Sequence, residues 1–178
     1  MVTHKGTTLA VAHNGNLVNS IELRNKMEEE GSIFQTTMDS EVVLHLMARG
    51  ADLGLEKALR STFTSLQGAY SLLLMTQDSM IAVRDPDGFR PLCLGKIANG
   101  GDDAWIVASE TCALDLIGAE YVRDVEPGEV IIFRDNKMTS IFPWPKQDSH
   151  FCIFEQVYFA RPDSEIFGIN VYLARKRM

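Results

Sequence analysis

The feature of this sequence that most constrains its fold is a change of hydrophobic period at Gly68. Before this glycine, apolar residues recur three or four positions apart, as in Leu55, Ala58, Leu59 and Phe63, which is the spacing of one helix face. After it, short apolar runs alternate with turn sequences, which is typical of strands joined by hairpins. Helices followed by antiparallel strands predict an α+β domain in which helices are layered on sheets.

The same pattern predicts the individual elements. Helices are predicted at residues 19–31, 39–50, 54–66 and 111–117, with a further helix within 168–178. Strands are predicted at residues 7–12, 69–76, 80–84, 91–94, 104–108, 120–123, 129–134, 138–142 and 151–159. Asn19 is expected to cap the first helix by accepting a hydrogen bond from its first turn, with Glu22 reaching back to the cap.

The composition is that of a globular domain, since 46% of the 178 residues are apolar and 23% are charged. The net charge of −7 argues against a nucleic-acid partner, because neutralising phosphates requires clustered Lys and Arg. The sequence contains no run of about 18 apolar residues and no basic-then-apolar amino-terminal segment. It therefore predicts neither a membrane partner nor a signal peptide.

The three cysteines, Cys93, Cys112 and Cys152, are widely spaced and form no C-x-x-C pair. This usage suits a reducing cytoplasm rather than a disulfide scaffold. Cys93 and Cys112 lie in apolar segments and are expected to be core residues. Neither the cysteines nor the four histidines show the spacing of a zinc site. No residue has the surroundings of an activated nucleophile.

The stretch His13-Asn14-Gly15-Asn16 follows the first predicted strand and is rich in hydrogen-bonding groups. A glycine after an asparagine leaves a backbone N–H that no side chain covers, and the Asn14 amide is a second donor beside it. Two neutral donors at one point are what an oxyanion hole requires. The alternative is a plain Asn-Gly turn, which these four residues alone favour.

Two further stretches have both a functional and a structural interpretation. Asp39 precedes an apolar helix, where a carboxylate is most often an N-cap but could also receive a substrate ammonium group. Arg84 and Arg90 flank the Asp85-Pro86-Asp87-Gly88 turn and could bind carboxylates or phosphates bidentately. A strand–turn–strand connection explains these arginines without a ligand and is the favoured interpretation.

Seven segments of the sequence, taken in order, form a recognisable series: Ala12–Leu17, Thr37–Glu41, Leu66–Ser71, Asp85–Leu92, Val107–Thr111, Val125–Glu129 and Phe159–Ser164. This series resembles the glutamine phosphoribosylpyrophosphate amidotransferases (amidophosphoribosyltransferases). The first two segments are shared with other amino-terminal-nucleophile glutaminases, such as glucosamine-6-phosphate synthase, whereas D-P-D-G-F-R-P-L and F-A-R-P-D-S point to this family. The resemblance covers essentially the whole chain.

The resemblance implies a glutaminase domain with the αββα sandwich of the amino-terminal-nucleophile (Ntn) hydrolases, incomplete at its N-terminus. Residues 1–160 would form the type 2 glutamine amidotransferase domain without its first segment. Residues 161–178 would form a linker and the truncated start of the phosphoribosyltransferase domain. In this family an amino-terminal Cys attacks the glutamine amide, and the ammonia passes to phosphoribosyl pyrophosphate. The product, 5-phosphoribosylamine, is made in the first step of de novo purine synthesis.

The resemblance also assigns roles to individual residues. Asn14 and Gly15 match the oxyanion hole, and Asp39 matches the residue that holds the α-ammonium group of glutamine. The nucleophilic Cys and the Arg that binds the glutamine carboxylate would lie upstream of residue 1, and the transferase domain beyond residue 178. The chain alone is therefore expected to be inactive, because the thioether of Met1 cannot act as a nucleophile.

Cofactors and partners follow from the same resemblance. Cys152 matches an iron–sulfur ligand of the full-length enzyme, whose cofactors would be a [4Fe-4S] cluster and Mg, with no cofactor bound by this fragment. The expected partners are glutamine and, only through the missing domain, phosphoribosyl pyrophosphate. The protein is expected to be cytoplasmic and to form a homo-oligomer. The alternatives are the glutaminase domain of another class II amidotransferase and a non-catalytic module of the same fold.

Overall fold

The computed structural model describes residues 2–4, 7–98, 100, 103–145 and 148–178, with only the backbone of residues 2–4 and 7. The helices are α1 (Ser20–Glu29), α2 (Glu41–Gly50), α3 (Leu55–Ser65), α4 (Thr111–Leu116) and α5 (Val171–Arg177). The strands are β1 (Val2–His4), β2 (Thr7–Leu17), β3 (Gly68–Met75), β4 (Ser79–Arg84), β5 (Cys93–Ile97), β6 (Ala104–Ala108), β7 (Glu120–Asp124), β8 (Val130–Arg134), β9 (Lys137–Ile141), β10 (Glu165–Ile166) and β11 (Ile169–Asn170). A 3₁₀ turn (Ala51–Leu53) follows α2, and a π-helical turn (Glu155–Phe159) precedes β10.

The larger sheet has six strands in the order β1-β2-β3-β4-β8-β9, each antiparallel to its neighbours. Because successive side chains of a strand point to opposite faces, β4 contributes to two cores. Ile81 and Val83 pack into the core beneath α1, α2 and α3, whereas Met80 and Ala82 pack on the opposite face. Phe63 of α3 is fully buried in the helix-side core.

The smaller sheet has three strands in the order β6-β5-β7. Its inner face packs against the larger sheet, where Leu94 of β5 joins Ile131 and Phe133 of β8 in one cluster. Its outer face is covered by α4, which approaches so closely that a Cβ added at Gly95 would lie 2.6 Å from Leu114 Cδ2. The layers therefore run helix, sheet, sheet, helix, and the predicted αββα sandwich is confirmed.

Most predicted elements lie within one or two residues of the observed ones, but the first predicted strand is too short. The predicted turn at residues 13–16 is wrong, because β2 continues to Leu17 and pairs with β3 throughout. Gly15 has φ of +136°, and a Cβ there would lie 2.1 Å from the Ala69 carbonyl oxygen. The glycine thus permits close pairing with β3, a partner that local composition does not reveal.

The predicted strand at residues 151–159 is wrong, since this segment ends in the π-helical turn Glu155–Phe159. The adjacent residues Glu155 and Gln156 of this turn are both buried. The Gln156 side chain donates to the Ile166 carbonyl at 2.9 Å. The apolar side chains of the turn are instead exposed, including Tyr158 and Phe159.

The predicted capping role of Asn19 is also wrong. No side-chain hydrogen bond caps α1. The Asn19 side chain instead donates to the Ser65 carbonyl at 2.9 Å and accepts from the Gln67 amide at 3.0 Å. The residue therefore ties the start of α1 to the segment between α3 and β3.

Residues after 160 form a short hairpin, β10–β11, followed by α5. Ile166 and Val171 of this segment form a small apolar core together with Ala160. The Asn170 side chain caps α5 by accepting from the Leu173 amide at 3.0 Å. The predicted terminal helix is confirmed from Val171 onward, and the domain boundary at residue 160 stays a prediction.

Candidate active site

A cleft of about 410 Å³ opens where β2, the connection between β4 and β5, and the segment before the π-helical turn meet. It is lined by Asn14, Gly15, Asn16, Ala69, Phe89, Arg90, Cys152 and Phe159. Four residues singled out from the sequence, Asn14, Gly15, Arg90 and Cys152, therefore lie at one place. Asp39 does not line this cleft.

Both ends of the Asn14 side chain have partners. Its carbonyl oxygen Oδ1 accepts a 2.5 Å hydrogen bond from Arg90 Nη2. Its nitrogen Nδ2 donates to Ser109 Oγ at 3.2 Å. One of the two Nδ2 hydrogens is thereby used, and the other remains available for a ligand.

Asp39 is linked to the cleft through the residue beside Asn14. Asp39 Oδ1 lies 3.2 Å from His13 Nδ1, and Asp39 Oδ2 accepts from the Leu17 amide at 2.9 Å. The His13 side chain is 8% exposed and that of Asp39 24% exposed. These contacts aim the Asp39 carboxylate at β2 and away from α2, so the prediction of a helix cap is wrong. No local pattern marks His13 as the partner of Asp39, because the two are 26 positions apart.

Glu41 fixes the chain just before Asp39. Its carboxylate accepts from the Gln35 and Thr36 amides, both at 2.8 Å, and from Thr36 Oγ1 at 2.7 Å. Burial raises the pKa of Glu41, but these hydrogen bonds outweigh burial and hold the pKa below its ordinary value. The segment that carries Asp39 is therefore anchored by a buried anion.

The connection from β4 to β5 is built around Arg84 and Asp85, both buried. Arg84 donates to the carbonyls of Gly88, Arg90 and Val125 at 2.6 to 2.9 Å. The structural interpretation of Arg84 is thus confirmed. Arg90 differs, because its side chain reaches out of the connection to Asn14 and to Glu155, with Arg90 Nη1 lying 2.7 Å from Glu155 Oε1. Sequence reasoning missed this role.

The cysteines occupy two kinds of environment. Cys93 and Cys112 are buried, as predicted, and burial raises the pKa of the Cys93 thiol to about 12. Cys152 is half-buried at the cleft. It lies in the loop before the π-helical turn, so its predicted position on a strand is wrong.

Across the described ranges, no helix is long and apolar enough to cross a membrane. Comparison with known proteins identifies the family of the chain. The sequence profile of a family described as the glutamine amidotransferase domain matches residues 1–116. The chain belongs to this family.

Two curated relatives of this glutamine amidotransferase domain carry the same name. The amidophosphoribosyltransferase of Bacillus subtilis (strain 168) is 47% identical over 171 residues, covering 96% of this chain and 35% of the relative. That of Archaeoglobus fulgidus is 43% identical over 180 residues, covering 100% of this chain and 38% of the relative. The chain therefore spans somewhat more than a third of the length of these relatives.

A solved structure supports the same assignment. The domain superimposes with a TM-score of 0.89 on glutamine phosphoribosylpyrophosphate amidotransferase from B. subtilis complexed with ADP and GMP, at 45% identity. The match covers 97% of this domain and 37% of that chain. At 45% identity the two chains share the family as well as the fold.

Proposed function

We propose that the chain is the glutamine-binding and oxyanion-stabilising part of an amidophosphoribosyltransferase. Such an enzyme hydrolyses glutamine and passes ammonia to phosphoribosyl pyrophosphate, giving 5-phosphoribosylamine for purine synthesis. The observation that carries the proposal is the fixed Asn14 amide beside Gly15 in one cleft. The names of the relatives support phosphoribosyl pyrophosphate as the ammonia acceptor. We assign the binding of this acceptor to sequence outside residues 1–178.

In the proposed reaction, attack on the glutamine amide carbon turns the carbonyl oxygen into an oxyanion. The free Nδ2 hydrogen of Asn14 and the backbone N–H of Gly15 would donate to this oxygen. Such donors act most strongly in the transition state, where the charge develops, and removing one typically costs about 10²- to 10³-fold in kcat.

Asp39 would bind the α-ammonium group of glutamine. Its carboxylate is held in place by Leu17 and His13 and is still partly exposed. A carboxylate has about four lone-pair positions, so these two contacts leave room for a substrate cation. Because the ammonium group does not change during the reaction, Asp39 should contribute to substrate binding rather than to the chemical step.

The proposed nucleophile is the amino-terminal Cys that the resemblance implies upstream of residue 1. Cys93 is unsuited to this role, because a buried thiol with a pKa of about 12 is not ionised at neutral pH. The expected chemistry is thioester formation with release of ammonia, followed by hydrolysis to glutamate.

The cofactors implied by the resemblance are not fully accommodated by this chain. A [4Fe-4S] cluster is held by four thiolates, whereas only Cys152 lies at the cleft and the other two cysteines are enclosed in the core. Among the described residues, no group of three or more His, Cys, Asp or Glu is arranged to hold a metal ion, Mg included. The role of Cys152 as one ligand in a longer polypeptide stays a proposal, and no step is derived through a metal.

The cytoplasmic location and the homo-oligomer are likewise proposals. All three cysteines are unpaired, which supports a reducing compartment. The apolar side chains exposed on the π-helical turn, Tyr158 at 60% and Phe159 at 47%, support contact with further protein. A monomer by light scattering at high concentration would contradict self-association of the chain.

The central test joins an upstream segment beginning with Cys to this chain and measures glutamate release from glutamine. Hydrolysis is expected, with kcat lowered about 10²- to 10³-fold by Asn14→Ala and KM raised by Asp39→Asn. The exposed Glu56→Gln change on α3 serves as the control and should alter neither constant. Failure of the Cys-bearing polypeptide to release glutamate would overturn the proposal, and calorimetric binding of glutamine without turnover would indicate a non-catalytic module.

A further inference from the structure

We propose that Arg90 is a positioning residue that decides which end of the Asn14 side chain faces the cleft. Glu155 and Phe159 hold the Arg90 side chain in the orientation that this role requires. The catalytic consequence rests on the proposed glutaminase function, whereas the positioning itself can be measured without any activity.

The argument begins with the symmetry of an asparagine side chain. Its NH₂ and carbonyl ends have nearly the same shape, so a half-turn of the amide exchanges a donor for an acceptor. Only the NH₂ end can stabilise an oxyanion, because the carbonyl end would repel it. The neighbours of Asn14 must therefore select one of the two orientations.

The two side-chain partners of Asn14 differ in their ability to select. The hydroxyl of Ser109 can donate or accept, so it fits either end of the amide. The guanidinium of Arg90 carries donors and no acceptor. Its 2.5 Å contact with Asn14 is thus compatible only with the carbonyl end. Arg90 therefore leaves the NH₂ end for Ser109 and for a ligand.

Arg90 is itself held on several sides. Its backbone amide donates to Asp85 Oδ2 at 3.2 Å, and its carbonyl accepts from Arg84 Nε at 2.8 Å. Arg90 Nη1 lies 2.7 Å from Glu155 Oε1, and the Glu155 side chain is only 3% exposed. Because a guanidinium is planar and rigid, fixing Nη1 directs Nη2 toward Asn14.

The face of the Arg90 guanidinium is covered by an aromatic ring. Its central carbon lies 5.2 Å from the centroid of the Phe159 ring, within the range of a cation–π contact. Glu155 and Phe159 both belong to the π-helical turn that follows Cys152. The orientation of a β2 side chain therefore depends on a segment near the other end of the chain.

The direct test is NMR of the isotopically labelled 178-residue chain. The Asn14 side-chain resonances are assigned by their disappearance in Asn14→Ala. In the parent chain an NOE is expected between the Asn14 Nδ2 protons and Ser109 Hβ. Arg90→Met should weaken that NOE, because Ser109 alone fits either end of the amide, and Arg90→Lys, which keeps a donor, should restore part of it. An unchanged NOE in Arg90→Met would overturn the proposal.

Two further variants guard against simple loss of structure. Arg90→Met leaves Glu155 buried without its counter-charge, so the double variant Arg90→Met/Glu155→Gln removes both charges together. It should show the same weakening of the NOE within an otherwise unchanged amide spectrum. The matched surface pair on α3, changed as Arg60→Met/Glu56→Gln, should leave the NOE intact. An unchanged NOE in Arg90→Met/Glu155→Gln would also overturn the proposal.

The kinetic test uses the Cys-bearing polypeptide described above. Arg90→Met should lower kcat for glutamine hydrolysis by up to about 100-fold with KM little changed, since a misoriented donor fails only in the transition state. Arg90→Lys should recover part of the loss. Unchanged kcat in Arg90→Met would overturn the positioning role. If the parent polypeptide does not hydrolyse glutamine, the proposed function fails while the NMR result still decides the orientation of Asn14.

Discussion

His13 Nδ1 lies 3.2 Å from Asp39 Oδ1, and the histidine ring is almost fully enclosed. A carboxylate can only accept a hydrogen bond, so the Nδ1 atom must carry the proton in this pair. The residue next to the proposed oxyanion donor on β2 thus orients the proposed ammonium-binding carboxylate, and one strand controls both parts of the site.

The first prediction concerns this pair. His13→Ala should raise KM for glutamine about 10-fold, because one hydrogen bond to a charged group contributes roughly 1.5 kcal/mol. The value of kcat should change little. His13→Asn, whose side-chain amide can replace Nδ1, should keep KM near that of the parent. Steady-state kinetics of the Cys-bearing polypeptide measures both, and a fall in kcat with constant KM would contradict the assignment.

The second prediction concerns close packing between β2 and β3. Gly15→Ala places a Cβ 2.1 Å from the Ala69 carbonyl oxygen at a φ of +136°. The free energy of unfolding should fall by roughly 2–4 kcal/mol, combining backbone strain with overpacking. Urea denaturation of the 178-residue chain measures the change.

Gly31→Ala is the control for this effect. Gly31 also has positive φ, of +90°, but a Cβ there meets nothing within 4 Å. The free energy of unfolding should therefore fall by only about 1 kcal/mol, which is the cost of backbone strain without crowding. Equal losses at Gly15 and Gly31 would show that crowding against β3 is unimportant.

The third prediction concerns acid stability and Glu129. Burial raises the pKa of this carboxyl, but hydrogen bonds from Arg123, Ser140 and the Glu126 amide outweigh burial and hold the pKa below its ordinary value of 4.5. A depressed pKa stabilises the folded state above pH 4.5, and that stabilisation is lost as the pH falls through the folded-state value.

Glu129→Gln should therefore weaken the loss of stability between about pH 5 and pH 3. At pH 7 it should cost about 2 kcal/mol, since it removes charge-assisted hydrogen bonds. Denaturation series at several pH values measure both effects. Glu56→Gln, at an exposed i,i+4 pair, should change stability by less than about 0.5 kcal/mol. An unaltered pH slope in Glu129→Gln would refute the prediction.

The fourth prediction has the opposite sign and concerns Glu155. Burial raises its pKa above the ordinary value of 4.5, although Arg90 opposes the shift. The folded state then binds a proton more readily than the unfolded state. Stability contributed by this group is complete below pH 4.5 and declines as the pH rises through the folded-state pKa.

Glu155→Gln should remove this decline in stability. The thermal midpoint of the variant, relative to that of the parent, should therefore increase as the pH rises above 4.5. Thermal unfolding followed by circular dichroism at several pH values measures the difference. A difference that does not vary with pH would show that Glu155 keeps an ordinary pKa in the folded chain.

The elements that could be predicted from the sequence are those with a clear local period. The spacing of Leu55, Leu59 and Phe63 defines α3, because one face of this helix packs on a continuous core. The apolar runs of β3 and β4 define their hairpin, because both faces of these strands contribute to cores. Residues 151–159 were misassigned because their buried polar side chains, Glu155 and Gln156, find partners far away in the sequence.

The site was predicted unevenly for the same reason. Asn14 and Gly15 form a recognisable local pattern, and the family resemblance gave that pattern a role. His13 and Arg90 could not be predicted, because their roles depend on contacts with Asp39, Asn14 and Glu155 that only the folded chain brings together. Local patterns identify candidate groups, whereas tertiary contacts determine their orientation.

The contacts of Arg90 with Asn14 and the π-helical turn also order events during synthesis. The ribosome makes Asn14 and Arg90 well before Glu155 and Phe159, which hold the guanidinium in place. A nascent chain shorter than this contains both direct partners of Asn14, Arg90 and Ser109, but not the residues that hold Arg90. The proposed oxyanion site therefore receives its last supporting contacts late in translation, and a chain that ends before Glu155 lacks them.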